Sequence, residues 1–140
     1  MNTTNSRAVF LDFDGVLFDT VREAYAVTIM ALRRSVRIID IDFGAEHFVK
    51  FSQFRYLVRS VWNYYYLTQS IDKVIARSVV DLETEYNKLL QRWTQGEHNS
   101  FEENFFQERK RIRETDHDNW LSLVSPYHII DDIRGLVSKF

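Results

Sequence analysis

At 140 residues, with 45% hydrophobic and 27% charged side chains, the chain is long enough to bury a core and too apolar to belong to the disordered class. A formal net charge of −2 leaves no electrostatic footprint for nucleic acid or an anionic membrane, and the lack of Cys excludes disulfides, thiolate catalysis and Cys-ligated metals. Four Gly, one Pro and a 15% aromatic share predict long helices packed through aromatic anchors. The polar stretch Met1 to Arg7 is unlike a signal peptide and no apolar run reaches the length of a membrane span, so the expectation is a soluble protein of the reducing cytoplasm.

The first element is Ala8-Val9-Phe10-Leu11, an apolar run of the kind that forms a buried strand, stopped by acidic residues and Gly15. Thr20 and Glu23 have the spacing of a capping box, which predicts a helix from Thr20 to about Ser35 with Val21, Tyr25, Thr28 and Leu32 along one side. Ile38 to Phe43 alternates weakly and fits either a strand or an extended connector. From Gly44 to Leu67 the residues Phe48, Phe51, Val58, Val61, Trp62 and Tyr65 predict one helix, and Phe54, Tyr56 and Tyr64 widen its apolar surface beyond a single stripe.

Ser70 is placed to cap a further helix, in which Ile71, Val74, Ile75, Leu82, Tyr86, Leu89 and Trp93 recur until Gln95-Gly96 ends it. Ser100 with Glu103 repeats the capping-box spacing and opens a helix through Phe101, Phe105 and Ile112. Trp120 to Val124 follows after a polar break. Pro126 then suits the first turn of a last helix carrying Ile129, Ile130, Ile133 and Val137.

Chemistry concentrates in the turn after the first strand. A buried strand ending in Asp12-Phe13-Asp14-Gly15 sets two carboxylates at the carboxyl end of a sheet, where open α/β folds bind ligands. Gly15 permits a sharp bend and keeps side chains away from an incoming anion, and the paired acids suit a hard cation such as Mg²⁺. Acids with such a cation suit phosphate chemistry. The simpler reading is a solvated turn whose acids bond local amides, which the apolar run before it and the helix signal after it disfavour.

The run Phe10-Leu11-Asp12-Phe13-Asp14-Gly15-Val16-Leu17-Phe18-Asp19-Thr20 resembles the first signature motif of the haloacid dehalogenase-like (HAD) superfamily. The resemblance implies an α/β HAD-like fold with an inserted helical cap, seen here as a mostly α-helical chain with one strand and an incomplete Rossmann-like core. Residues 1–19 would supply the first strand and nucleophile loop, residues 20–124 the cap, and residues 125–140 the return to the core. It further implies Asp12 as the nucleophile that forms an aspartyl-phosphate and Asp14 as general acid and base. Asp12 and the backbone carbonyl of Asp14 would hold Mg²⁺, and the loop at Phe13, Asp14 and Gly15 would hold the phosphoryl group. An acid at position 14 points to phosphate esters rather than to carbon–halogen or carbon–phosphorus bonds.

The implied activity is therefore Mg²⁺-dependent hydrolysis or transfer of phosphate from a small phosphorylated metabolite. The family's Ser or Thr, Lys and late acidic pair find no convincing match. A missing C-terminal portion or a second copy in a homo-oligomer is expected to complete the sheet, and the 140-residue chain by itself is expected to be inactive. Asp131 and Asp132 are the rival late acidic pair, without a second strand or suitably placed Lys before them. The alternative function is a non-catalytic helical interaction module or a truncated HAD-like paralogue working through its aromatic bundle.

Three further groups draw attention. Arg109-Lys110-Arg111-Ile112-Arg113 is flanked by Glu102, Glu103, Glu108 and Glu114, as on a solvated helix face rather than a phosphate or nucleic-acid patch. Tyr64-Tyr65-Tyr66 beside Trp62 could line a pocket, but aromatics at helical spacing more often fill a core. His47, His98, His117 and His128 lack ligand spacing, so no zinc site is expected.

Overall fold

A computed structural model describes residues 18–77, 81–92, 94–127, 131 and 134–135. The expected strand Ala8 to Leu11, the acidic turn Asp12 to Gly15 and the proposed last helix after Pro126 lie largely or wholly outside these residues. The described part is mostly helical: α1 (Val21–Leu32), α2 (Glu46–Phe54), α3 (Asn63–Arg77), α4 (Leu82–Leu90), α5 (Gln95–Thr115) and α6 (His117–Ser122). Short 3-10 turns at Ile38–Asp40 and Arg55–Leu57 join them, and β1 (Phe18–Asp19) pairs antiparallel with β2 (Ser125–Pro126).

α1 is the central helix. The residues Glu23 to Ala31 are buried without a break, as a helix must be when its apolar surface runs all round rather than along a stripe. Ala24, Ala26 and Ala31 are small enough for neighbours to approach closely, with α5 packed on one side and α2 and α3 on others. The helix stops short of the expected Ser35, which takes a left-handed φ of 83° in the turn that follows.

The helix expected over 44–67 is two helices. α2 ends at Phe54, the chain tightens through Arg55–Leu57, and Val58 is extended. The break has a local cause: the Asn63 side-chain oxygen accepts the backbone N–H of Arg59 at 3.0 Å and of Ser60 at 2.9 Å, offering those donors an alternative to helix bonds. Apolar residues on both sides of the break still face the core, so the hydrophobic pattern runs through it unmarked.

Ser70 does not cap a helix. It is buried inside α3, with its hydroxyl donating to the Tyr66 carbonyl at 2.7 Å. The cap in this region is Asp81, whose carboxylate accepts the Thr84 backbone N–H at 2.9 Å and its hydroxyl at 2.7 Å, so the single helix expected from Ser70 to Gln95 is α3 followed by α4. Gln95-Gly96 starts α5 instead of ending α4, and Ser100 and Glu103 fall in the interior of α5 rather than at its start. Pro126 pairs with Phe18 in β2 and is not in a first helical turn; having no N–H, it suits so short and exposed a ladder.

The core is built on rings. Tyr25 meets Phe48 and Phe51 edge-on at centroid distances of 5.1 and 5.0 Å, Phe51 stacks on Tyr64 at 5.4 Å, and Tyr64 stacks on Phe105 at 5.9 Å. This ladder of aromatics ties α1, α2, α3 and α5 together, with Leu67, Ile71 and Ile112 filling the space around it. Tyr64 and Tyr66 are thus core residues, as their helical spacing suggested.

Candidate functional site

The residues expected to perform chemistry, Asp12, Phe13, Asp14 and Gly15, lie outside the described residues, as does Asp132; Asp131 is described and exposed. The described chain starts immediately downstream of the motif, at Phe18-Asp19. Asp19 turns the chain into α1 by accepting the Val21 backbone N–H on Oδ1 at 3.0 Å. Thr20 is buried, and its hydroxyl accepts from a terminal guanidinium nitrogen of Arg55 at 3.1 Å. The Nε of the same Arg55 donates to the Tyr64 hydroxyl at 3.2 Å.

The expected capping box of Thr20 and Glu23 is not formed. Glu23 is only 3% exposed and turns inward, where its Oε1 accepts from Arg109 Nε at 2.7 Å and Trp120 Nε1 at 3.0 Å, and its Oε2 accepts from an Arg109 terminal nitrogen at 3.1 Å. A bidentate, partly buried guanidinium pair is stronger than a solvated bond to a helix amide, so the tertiary partners take the carboxylate. Arg109 thereby leaves the solvated face on which its neighbours remain. Lys110 faces Glu114, Arg111 pairs with Glu108 at 2.8 Å, and Arg113 lies over the Trp120 ring.

Arg55 and Tyr64 also line an open cavity of about 670 Å³ together with Tyr56, Val58 and Arg59. Its lining residues lie at the link between α2 and α3 and the first turn of α3. Arg55 is held by two neutral hydroxyls. Arg59 has no acidic partner among the described residues, and Glu83 at the rim accepts from the Tyr56 hydroxyl at 3.2 Å instead. Sequence reasoning passed over both arginines, since nothing in their spacing marks them.

His47 sits between Tyr25, whose hydroxyl oxygen is 3.0 Å from Nδ1, and Asp72, whose Oδ1 lies 3.4 Å from Nε2 but makes no hydrogen bond with it. Burial pushes the imidazole below its ordinary range, outweighing the pull of the Asp72 charge. His98 is buried, stacked on Trp62 at 4.1 Å with Nε2 2.8 Å from the Tyr66 hydroxyl. Burial also pushes the Tyr86 hydroxyl up to about 12 where it donates to the Leu57 carbonyl. These are groups that lock helices together. Among the described residues no three His, Asp or Glu side chains converge as a metal site, and no helix is long and apolar enough to cross a membrane.

Compared with protein-family models, with curated proteins and with solved structures, the chain finds no match in any of the three.

Proposed function

We propose that this chain carries the nucleophile loop and helical cap of a HAD-like, Mg²⁺-dependent phosphatase or phosphotransferase acting on a small phosphorylated metabolite. The motif Asp12-Phe13-Asp14-Gly15 supports the chemistry. The observation that carries the architecture is the pairing of Phe18 with Pro126 and of Asp19 with Ser125. The helical unit leaves the chain just after the motif and returns to the same point, as an inserted cap must if it is not to disrupt the sheet around it.

In this reading the Asp12 carboxylate attacks phosphorus, the bond to the leaving oxygen breaks, and Asp14 gives that oxygen its proton. Asp14 then takes a proton from water, whose oxygen attacks the acylphosphate phosphorus and releases inorganic phosphate, restoring Asp12. The Asp12 carboxylate and the Asp14 backbone carbonyl are hard oxygen donors of the kind Mg²⁺ takes, and that cation would neutralise phosphate charge as the carboxylate approaches, leaving the Asp14 side chain free for proton transfer.

The test is phosphate release by the native protein from phosphomonoesters with Mg²⁺. Asp12→Asn is expected to abolish it at nearly unchanged volume, and Asp14→Asn to reduce it by about a hundredfold or more. Turnover retained by Asp12→Asn, or undiminished in excess chelator, would reject this mechanism.

A further inference from the structure

Two cavities open where α1 ends, and Ser35, in the left-handed turn after the helix, lines both. In one, of about 430 Å³, Arg37 pairs with Asp40 and Arg111 with Glu108, so most of the charge is neutralised. The other, of about 420 Å³, holds charges of both signs that do not meet. Arg33 lines it without an acidic partner among the described residues, because both oxygens of the neighbouring Asp40 are taken by Arg37. The Asp42 carboxylate lines it too, and accepts only the Gly44 backbone N–H, on Oδ1 at 2.7 Å. Both charges reach the Tyr25 hydroxyl in the same cavity: burial raises its pKa, Arg33 lowers it, and Asp72 and Asp42 raise it. Ile29, Val36, Ile41 and Ala45 supply the apolar surface.

We propose that this cavity binds a small zwitterion, an α-amino acid with an apolar side chain, with its carboxylate on Arg33, its ammonium on Asp42 and its side chain against Ile29, Val36 and Ile41. Opposite charges that share a cavity without pairing are answered by a ligand that carries both, whereas a ligand of one charge leaves the other unmatched. A guanidinium fork takes a carboxylate in a bidentate manner, and Asp42 keeps Oδ2 for an ammonium while Oδ1 holds the turn to Gly44. The volume falls in the range of small-molecule sites. α1 has 12 residues, which puts this cavity's end of the helix about 18 Å from the end that follows Thr20. A ligand here sits apart from that end and needs nothing of the phosphatase chemistry.

The test uses three probes of one carbon skeleton: L-leucine, with both charges, L-leucinamide, without the carboxylate, and 4-methylpentanoate, without the ammonium. Binding to the full chain is followed through backbone amide resonances at about pH 6.5, where the leucinamide amine is charged. L-leucine is expected to shift the Ile29, Val36, Ile41 and Ala45 signals saturably, and each analogue to bind about fivefold or more weakly, the scale of a charge contact open to water.

Two variants assign the charges. Arg33 holds the end of α1 through its backbone N–H, at 2.8 Å from the Ile29 carbonyl, so Arg33→Gln leaves that end in place. It is expected to equalise L-leucine and L-leucinamide. Asp42→Asn keeps an oxygen for the Gly44 N–H and is expected to equalise L-leucine and 4-methylpentanoate. Absence of a saturable L-leucine shift at those amides, equal affinities for the three probes, or a preference that survives its own variant would overturn the proposal.

Discussion

At Glu23 three donors converge on one carboxylate that has almost no access to water. Removing one member of such a pair strands the other in a medium that solvates it poorly. Glu23→Ala is therefore expected to cost about 3 kcal/mol, the lower end for a buried pair because Arg109 is 30% exposed, read from urea unfolding. The double replacement Glu23→Leu with Arg109→Leu should cost less than the two single changes combined, since it removes both charges together. His47 makes a prediction in pH. Its folded value is depressed below 6.5, so below that pH the unfolded chain binds a proton that the native chain refuses, and stability falls as pH drops through that window. His47→Gln should flatten the fall in Tm between about pH 7 and 5. A profile identical to that of the unaltered chain would mean that His47 does not titrate on unfolding.

The helices owe their ends to single side chains. α4 starts at Asp81, and Asp81→Ala should cost about 1 kcal/mol in thermal unfolding, as loss of an N-cap does. Ser100→Ala is the matched control. The capping-box spacing predicts a comparable loss there, whereas Ser100 stands exposed inside α5 and the change is expected to stay within about 0.5 kcal/mol of zero. A large loss at Ser100 would move the start of α5 to that residue.

The whole unit hangs on α1, the helix with the longest unbroken burial, clasped by α5 and by the ring ladder from Tyr25 to Phe105. Amide hydrogen exchange should follow that arrangement. The slowest amides are expected at Val27 to Ala31 and at Leu67 to Ile71, in the most buried turns of α1 and α3, and faster exchange at Val58 to Ser60, whose amides are held outside any helix ladder, by a tight turn to Arg55 and by the Asn63 side chain. Protection across 58–60 equal to that of α3 would instead support one continuous helix over 44–67.

Composition and periodicity by themselves determined that the described chain is mostly helical and that its core is aromatic, because burial of rings at helical spacing is a property of local sequence. They did not settle every residue of the expected faces: Tyr56 and Ile75 are exposed. The acidic motif Asp12 to Gly15 is contiguous in the sequence and lies outside the described residues. Helix boundaries were not legible in the sequence. Asn63, Asp81 and Ser70 each offer the same short-range hydrogen bonds in several geometries, and packing selects which one forms. The pairing of β1 with β2, the inward turn of Glu23 to an arginine 86 residues away, and the cavity at Arg55 and Arg59 belong to the tertiary structure alone. Each depends on residues far apart in the chain meeting in one desolvated place, where a charge or a hydrogen bond is worth far more than local spacing can signal.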